Sequence, residues 1–108
     1  MLTLPQEEIA EFCRRWKIVE LSLFGSALRE DFGPESDLDF LVSYSKDSDW
    51  GLWDQIQMQQ ELEAISRRRV DLVSKRAVER SDNWLRRAEI LSNAHVVYSA
   101  TEATDATR

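Results

Sequence analysis

The chain has 108 residues, 43% of them hydrophobic and 31% charged, with a formal charge of −6 and a pI near 4.8. That length suits one domain with one core and leaves no room for a second module of any size. The acidic balance argues against a protein that holds nucleic acid by neutralising phosphates over a broad surface, and no apolar run is long enough to span a membrane. Cys13 is alone and cannot close an internal disulfide, and no early segment has the charged, apolar, small-residue order of a signal peptide. A reducing cytoplasm is therefore the expected compartment.

In chain order, Pro5 suits a first helical position, Glu7, Glu8 and Glu11 suit an N-terminal half, and Ile9, Phe12, Cys13 and Trp16 recur at helical spacing. This predicts an amphipathic helix with Cys13 on its apolar face. Glu20 to Phe24 reads as a strand ending in the Gly25-Ser26 turn. A polar stretch from Arg29 to Ser36 follows, with Gly33-Pro34 as a turn signal. Asp37 to Val42 reads as a second strand. The segment from Trp50 to Ser66 carries Trp53, Ile56, Leu62 and Ile65 at helix-like spacing and predicts a crossover helix to a third strand, Val70 to Val73. Ser81 or Asp82 would cap a last helix running to about Asn93, and Val96-Val97-Tyr98 reads as a short final strand opened by a structural His95. The expected organisation is one domain over residues 1–99 and a small, polar, disordered tail over 100–108.

The chemistry concentrates in three acids. Asp37 and Asp39 are two apart in a strand, so both side chains leave the same face. Like charges that close repel, and carboxylate oxygens are the ligands a hard divalent cation such as Mg²⁺ prefers. Mg²⁺ seldom sits in an all-protein cage and takes phosphate oxygens readily, which implies a nucleotide partner. Gly25 lets backbone N–H groups approach an anion, and the Ser26 hydroxyl can donate to a phosphate oxygen.

Blander readings exist for each residue. Asp37 after Ser36 is also a turn pair, and Gly25-Ser26 is also a tight turn. Asp39, between Leu38 and Phe40, is harder to explain structurally, because an unpaired carboxylate in an apolar run is costly to bury. Asp71, between Val70 and Leu72, has Arg67, Arg68 or Arg69 as structural partners, although that arginine run also suits a solvated helix end. Trp16, Trp50, Trp53 and Trp84 fit either a core or an aromatic contact surface for another protein.

The strings Gly25-Ser26-Ala27-Leu28-Arg29, Ser36-Asp37-Leu38-Asp39-Phe40-Leu41-Val42 and Arg69-Val70-Asp71-Leu72-Val73 together resemble the polymerase-β-like nucleotidyltransferase superfamily, most closely its minimal nucleotidyltransferases. The resemblance covers nearly the whole chain. It implies an α/β (α+β) fold with a small mixed sheet and helices packed mainly on one face. It implies Asp37, Asp39 and Asp71 as catalytic metal ligands for two Mg²⁺ ions, and Gly25, Ser26, Arg29 and Ser36 as contacts to ATP. Glu30 stands where the family usually has a small glycine, placing an acid beside the phosphate cradle.

Minimal nucleotidyltransferases of this kind resemble antitoxins paired with a small helical HEPN ribonuclease toxin, to a tyrosine of which they transfer AMP. The resemblance thus implies a HEPN partner in a hetero-oligomer; the acidic balance argues against direct nucleic-acid binding, and the edge left by the short final strand could pair with a second copy in a homodimer. Two other functions stay open at this point. One is an antitoxin that neutralises its partner by binding alone; the other is a nucleotidyltransferase acting on a small molecule or an RNA end.

Overall fold

The computed structural model describes residues 4–25 and 37–100. Its elements are α1 (Gln6–Arg15), β1 (Ile18–Phe24), β2 (Leu38–Tyr44), α2 (Leu52–Ser66), β3 (Val70–Ser74), α3 (Lys75–Glu79), α4 (Trp84–Asn93) and β4 (His95–Ser99). The strands form one mixed sheet in the order β3-β2-β1-β4. β1 runs antiparallel to both β2 and β4, whereas β2 and β3 are parallel and joined through α2. A parallel pair needs such a crossover, since a tight turn cannot return the chain to the same end of the sheet.

Strand alternation sends two apolar sets to opposite faces. Leu21 and Leu23 of β1, Leu38, Phe40 and Val42 of β2, and Val70 of β3 meet Ile9, Phe12, Cys13 and Trp16 from the first helix and Met58 and Leu62 from α2. This is the main helical layer. On the other face Phe24 and Leu41 pack against Val78 of α3 and Ile90 of α4 in a smaller cluster. Among the described residues no buried side-chain nitrogen or oxygen lacks a hydrogen-bond partner.

Polar contacts tie the first layer together. The Trp16 indole donates to Glu61 Oε1 at 3.1 Å, Arg15 pairs with the same oxygen at 2.9 Å, and the Trp50 indole donates to the Trp16 carbonyl at 2.7 Å. Burial pushes the Glu61 carboxyl upward, but the hydrogen bonds from Trp16 and Arg15 and the Arg15 charge outweigh it and hold it below the usual carboxylate range. Trp16 and Trp50 also meet edge to face, 5.1 Å between centroids.

The element bounds shift where capping chemistry decides them. Pro5 is the N-cap of α1 and its carbonyl accepts from Ile9 N, so the helix begins at Gln6. α2 begins at Leu52 because Gly51 is its N-cap, with Gly51 N donating to Asp54 Oδ2 at 2.9 Å. Asn83, not Ser81 or Asp82, caps α4 by accepting from Arg86 N. α3 is an addition to the expected elements, one short turn capped by the Ser74 hydroxyl. Trp53 and Ile56 also depart from expectation: they are 80% and 40% exposed, and the core face of α2 is built from Met58, Leu62 and Ile65.

Two outcomes follow from this core. Phe40→Ala removes a fully buried ring between β2 and the main helical layer. It should cost about 3–5 kcal/mol of unfolding free energy, read as a drop in urea midpoint at unchanged slope. Cys13 is fully buried, and burial raises its thiol from 9.0 to about 12. Below pH 9.0 both folded and unfolded chains keep that proton, and between 9.0 and about 12 only the folded chain does. The stability from Cys13 is therefore intact below pH 9.0 and declines as pH rises toward 12, a decline that Cys13→Ala should reduce in alkaline urea titrations.

Candidate active site

Sheet register brings two of the three predicted acids, Asp39 and Asp71, together. In the parallel β2–β3 pair Asp39 is the direct partner of Asp71, and in the antiparallel β1–β2 pair Phe24 is the partner of Asp39. Asp39 and Asp71 share the sheet face opposite the main helical layer, since their neighbours Leu38, Phe40 and Val70 all point into that layer. Neighbouring strands lie about 4.8 Å apart, so the two carboxylates stand side by side. Asp39 is half-buried and Asp71 exposed.

Gly25 closes the corner. Its φ is +71°, in the left-handed region, and a Cβ built there would lie 2.5 Å from Asp39 Oδ2. The conformation demands glycine, since it strains any L side chain, and an added Cβ would also force the Asp39 carboxylate to shift. The turn is thus shaped around Asp39, which explains why a strand ending in Phe24-Gly25 accompanies an acid at the head of the next.

Asp37 lies just before β2, where Leu38 N donates to the Arg69 carbonyl at 2.9 Å. The register that pairs Leu38 with Val70 also sets Asp37 beside Arg69, whose Nε reaches Asp37 Oδ1 at 3.1 Å. The sequence offered the arginine run as partner to Asp71 or as a solvated helix end; the structure gives Arg69 to Asp37 instead. No local signal could have found this pairing, because residues 37 and 69 meet only through the parallel register. Both side chains are more than half exposed, so the pair contributes little to stability. The start of β3 is held by Val70 N donating to Glu63 Oε2 at 3.0 Å, which connects the end of α2 to the acid strand.

Ser26, Arg29, Glu30 and Ser36 lie outside the described residues. Among the described residues no three or more His, Cys, Asp or Glu side chains are grouped so as to hold a metal ion by themselves. The oxygen-only donors and their exposure suit an open site, one at which Mg²⁺ would take part of its shell from water and phosphate. A cleft of about 510 Å³ lined by Tyr44, Ser45, Trp50, Lys75 and Arg76 lies toward the far end of β2, away from these acids.

Residues 7–97 match the family model of the nucleotidyltransferase domain. The chain belongs to that family. A solved structure described as a minimal nucleotidyltransferase is 32% identical, covering 82% of this chain and 85% of its own, with a TM-score of 0.58. A toxin–antitoxin crystal structure with AMP-PNP superposes over 94% of this chain and 79% of its own at 18% identity and a TM-score of 0.67. A tri-AMPylated Shewanella oneidensis HEPN toxin in complex with its MNT antitoxin gives 18% identity, coverage of 93% and 74%, and a TM-score of 0.59. No curated protein matches the sequence significantly. The fold is accordingly that of a minimal nucleotidyltransferase, with the small mixed sheet the sequence implied.

Gly25→Ala tests the corner directly. It should destabilise the domain by about 1–2 kcal/mol through the left-handed backbone alone, with a further loss from collision with Asp39. A double-mutant cycle with Asp39→Ala, read by urea denaturation, should recover the collision part and leave the backbone part.

Proposed function

We propose that this chain is a Mg²⁺-dependent nucleotidyltransferase that moves AMP from ATP to a tyrosine hydroxyl of a cognate HEPN ribonuclease toxin, acting in the cytoplasm as its antitoxin. The observation that carries the reading is the Asp39–Asp71 register with Gly25 folded against Asp39, next to Asp37. A structural salt-bridge network has no need to put two carboxylates on adjacent strands, whereas a site for a cation and a triphosphate does. The relatives with AMP-PNP and with an AMPylated HEPN toxin support the choice of nucleotide and acceptor.

Asp37, Asp39 and Asp71 would hold the metal, and bound Mg²⁺ would neutralise charge on the phosphates and lower the pKa of the attacking hydroxyl. Gly25 and Ser26 offer donors to the triphosphate, with Arg29 and Ser36 as further contacts, so that the α-phosphorus is presented in line. Asp71, on β3, would accept the tyrosine proton as the oxygen attacks. The new bond is tyrosine oxygen to α-phosphorus, the broken bond is α-phosphorus to the bridging oxygen, and pyrophosphate leaves. Arg69, paired with Asp37, would orient that carboxylate.

The test is the intact mass of the cognate HEPN protein, co-expressed with this chain, before and after incubation with ATP and Mg²⁺. One or more AMP additions are expected, with Asp39→Asn slowing them by about 10²-fold or more while the unfolding midpoint stays near wild type. A stable complex with no mass gain would establish neutralisation by binding alone. Absence of any complex would return the choice to small-molecule and RNA acceptors.

A further inference from the structure

The outer face of α2 has no role in the site or the core. Every exposed residue between 52 and 64 is uncharged: Leu52, Trp53, Ile56 and Ala64, with glutamines at 55, 57 and 60. In a chain that is 31% charged, an uncharged surface over more than three helical turns is a marked depletion. The acids of the same helix are used inward or at its start, Asp54 on Gly51 N, Glu61 on Trp16 and Arg15, and Glu63 on Val70 N. Trp53 is 80% exposed and Leu52 70%. Charge depletion around an exposed tryptophan is the composition of an interface centre, not of a solvated helix face.

Trp53, Ile56, Gln60 and Ala64 follow one another at spacings of three and four, the ridge along which a second helix packs. The stripe is about 20 Å long and one helix wide, which falls well short of the roughly 800 Å² per partner of a stable interface. Two copies meeting α2 to α2 would bury too little and would bring two chains of charge −6 together. A larger partner escapes both problems. Its helix would lie on the stripe, and the formal charge of −6 on this chain favours a partner of the opposite sign.

We propose that the exposed face of α2 docks a basic helical protein, through a helix with an uncharged apolar centre and Lys or Arg at its flanks. Within the function proposed above, that partner is the HEPN toxin, whose RNA substrate calls for positive charge. The stripe lies on the opposite side of the sheet from Asp39 and Asp71, so the docking surface and the chemical site are separate. A toxin anchored at α2 would offer its tyrosine either from a reaching segment or from another toxin copy in the assembly.

The test uses the purified chain and the cognate HEPN protein, with affinity measured by titration calorimetry and AMP transfer by intact mass. The Trp53→Ala/Ile56→Ala variant should keep its fold by circular dichroism and weaken the complex by about 30-fold or more. Asp39→Asn should bind as wild type while losing transfer. Binding by wild type should weaken as salt rises, and exposed Trp53 should blue-shift its emission in the complex. Unchanged affinity of the double variant, with transfer still abolished by Asp39→Asn, would overturn the docking surface and leave the function standing. A dimer of this chain alone in sedimentation, dissolved by Trp53→Ala, would make the occupant a second copy and overturn the proposal. A wild-type chain that binds no HEPN protein would remove the functional reading and this one with it.

Discussion

The site depends on one alignment: the parallel pairing that places Asp39 opposite Asp71. Like charges at paired positions of adjacent strands repel, so this alignment carries a cost. Nothing in the core requires that cost, because Leu38, Phe40 and Val70 already secure the strands from the other face. The acids are held close by packing they take no part in. A slip of one residue in β2 would turn Phe40 outward and bury Asp39, so the hydrophobic pattern that builds the core also enforces the carboxylate geometry.

The two faces of the sheet divide the work. The face under α1 and α2 is closed by Phe12, Phe40, Met58 and Leu62, and hydrogen bonds through Glu61 fasten the helices to each other. Among the described residues the opposite face is covered only by the small cluster of Phe24, Leu41, Val78 and Ile90. Gly25, Asp39 and Asp71 meet at one end of this face.

Helix α2 shows how one element serves several ends. Its inner face supplies Met58 and Leu62 to the core, its C-terminal part holds the start of β3 through Glu63, and its outer face is free of exposed charge. The crossover that makes β2 and β3 parallel, and so makes the acid pair, is the same helix that presents Trp53 outward. The proposed docking surface and the acid pair thus share one helix.

Much of this was legible in the residues. Alternation around Leu38, Phe40 and Val42 announced a strand with Asp39 on its open face, and Ile9, Phe12, Cys13 and Trp16 announced the buried stripe of α1, because local periodicity directly encodes which side of an element meets water. The sequence alone also determined the kinds of group available: three acids, a glycine turn and an arginine run. Tertiary structure decided the rest. Arg69 belongs to Asp37 because the strand register sets them opposite, and Trp53 and Ile56 face outward because the sheet meets the side of α2 that carries Met58 and Leu62. Helical spacing is blind to that choice when both sides of a helix are apolar, and pairing across a parallel sheet depends on residues some thirty positions apart, beyond the reach of any local pattern.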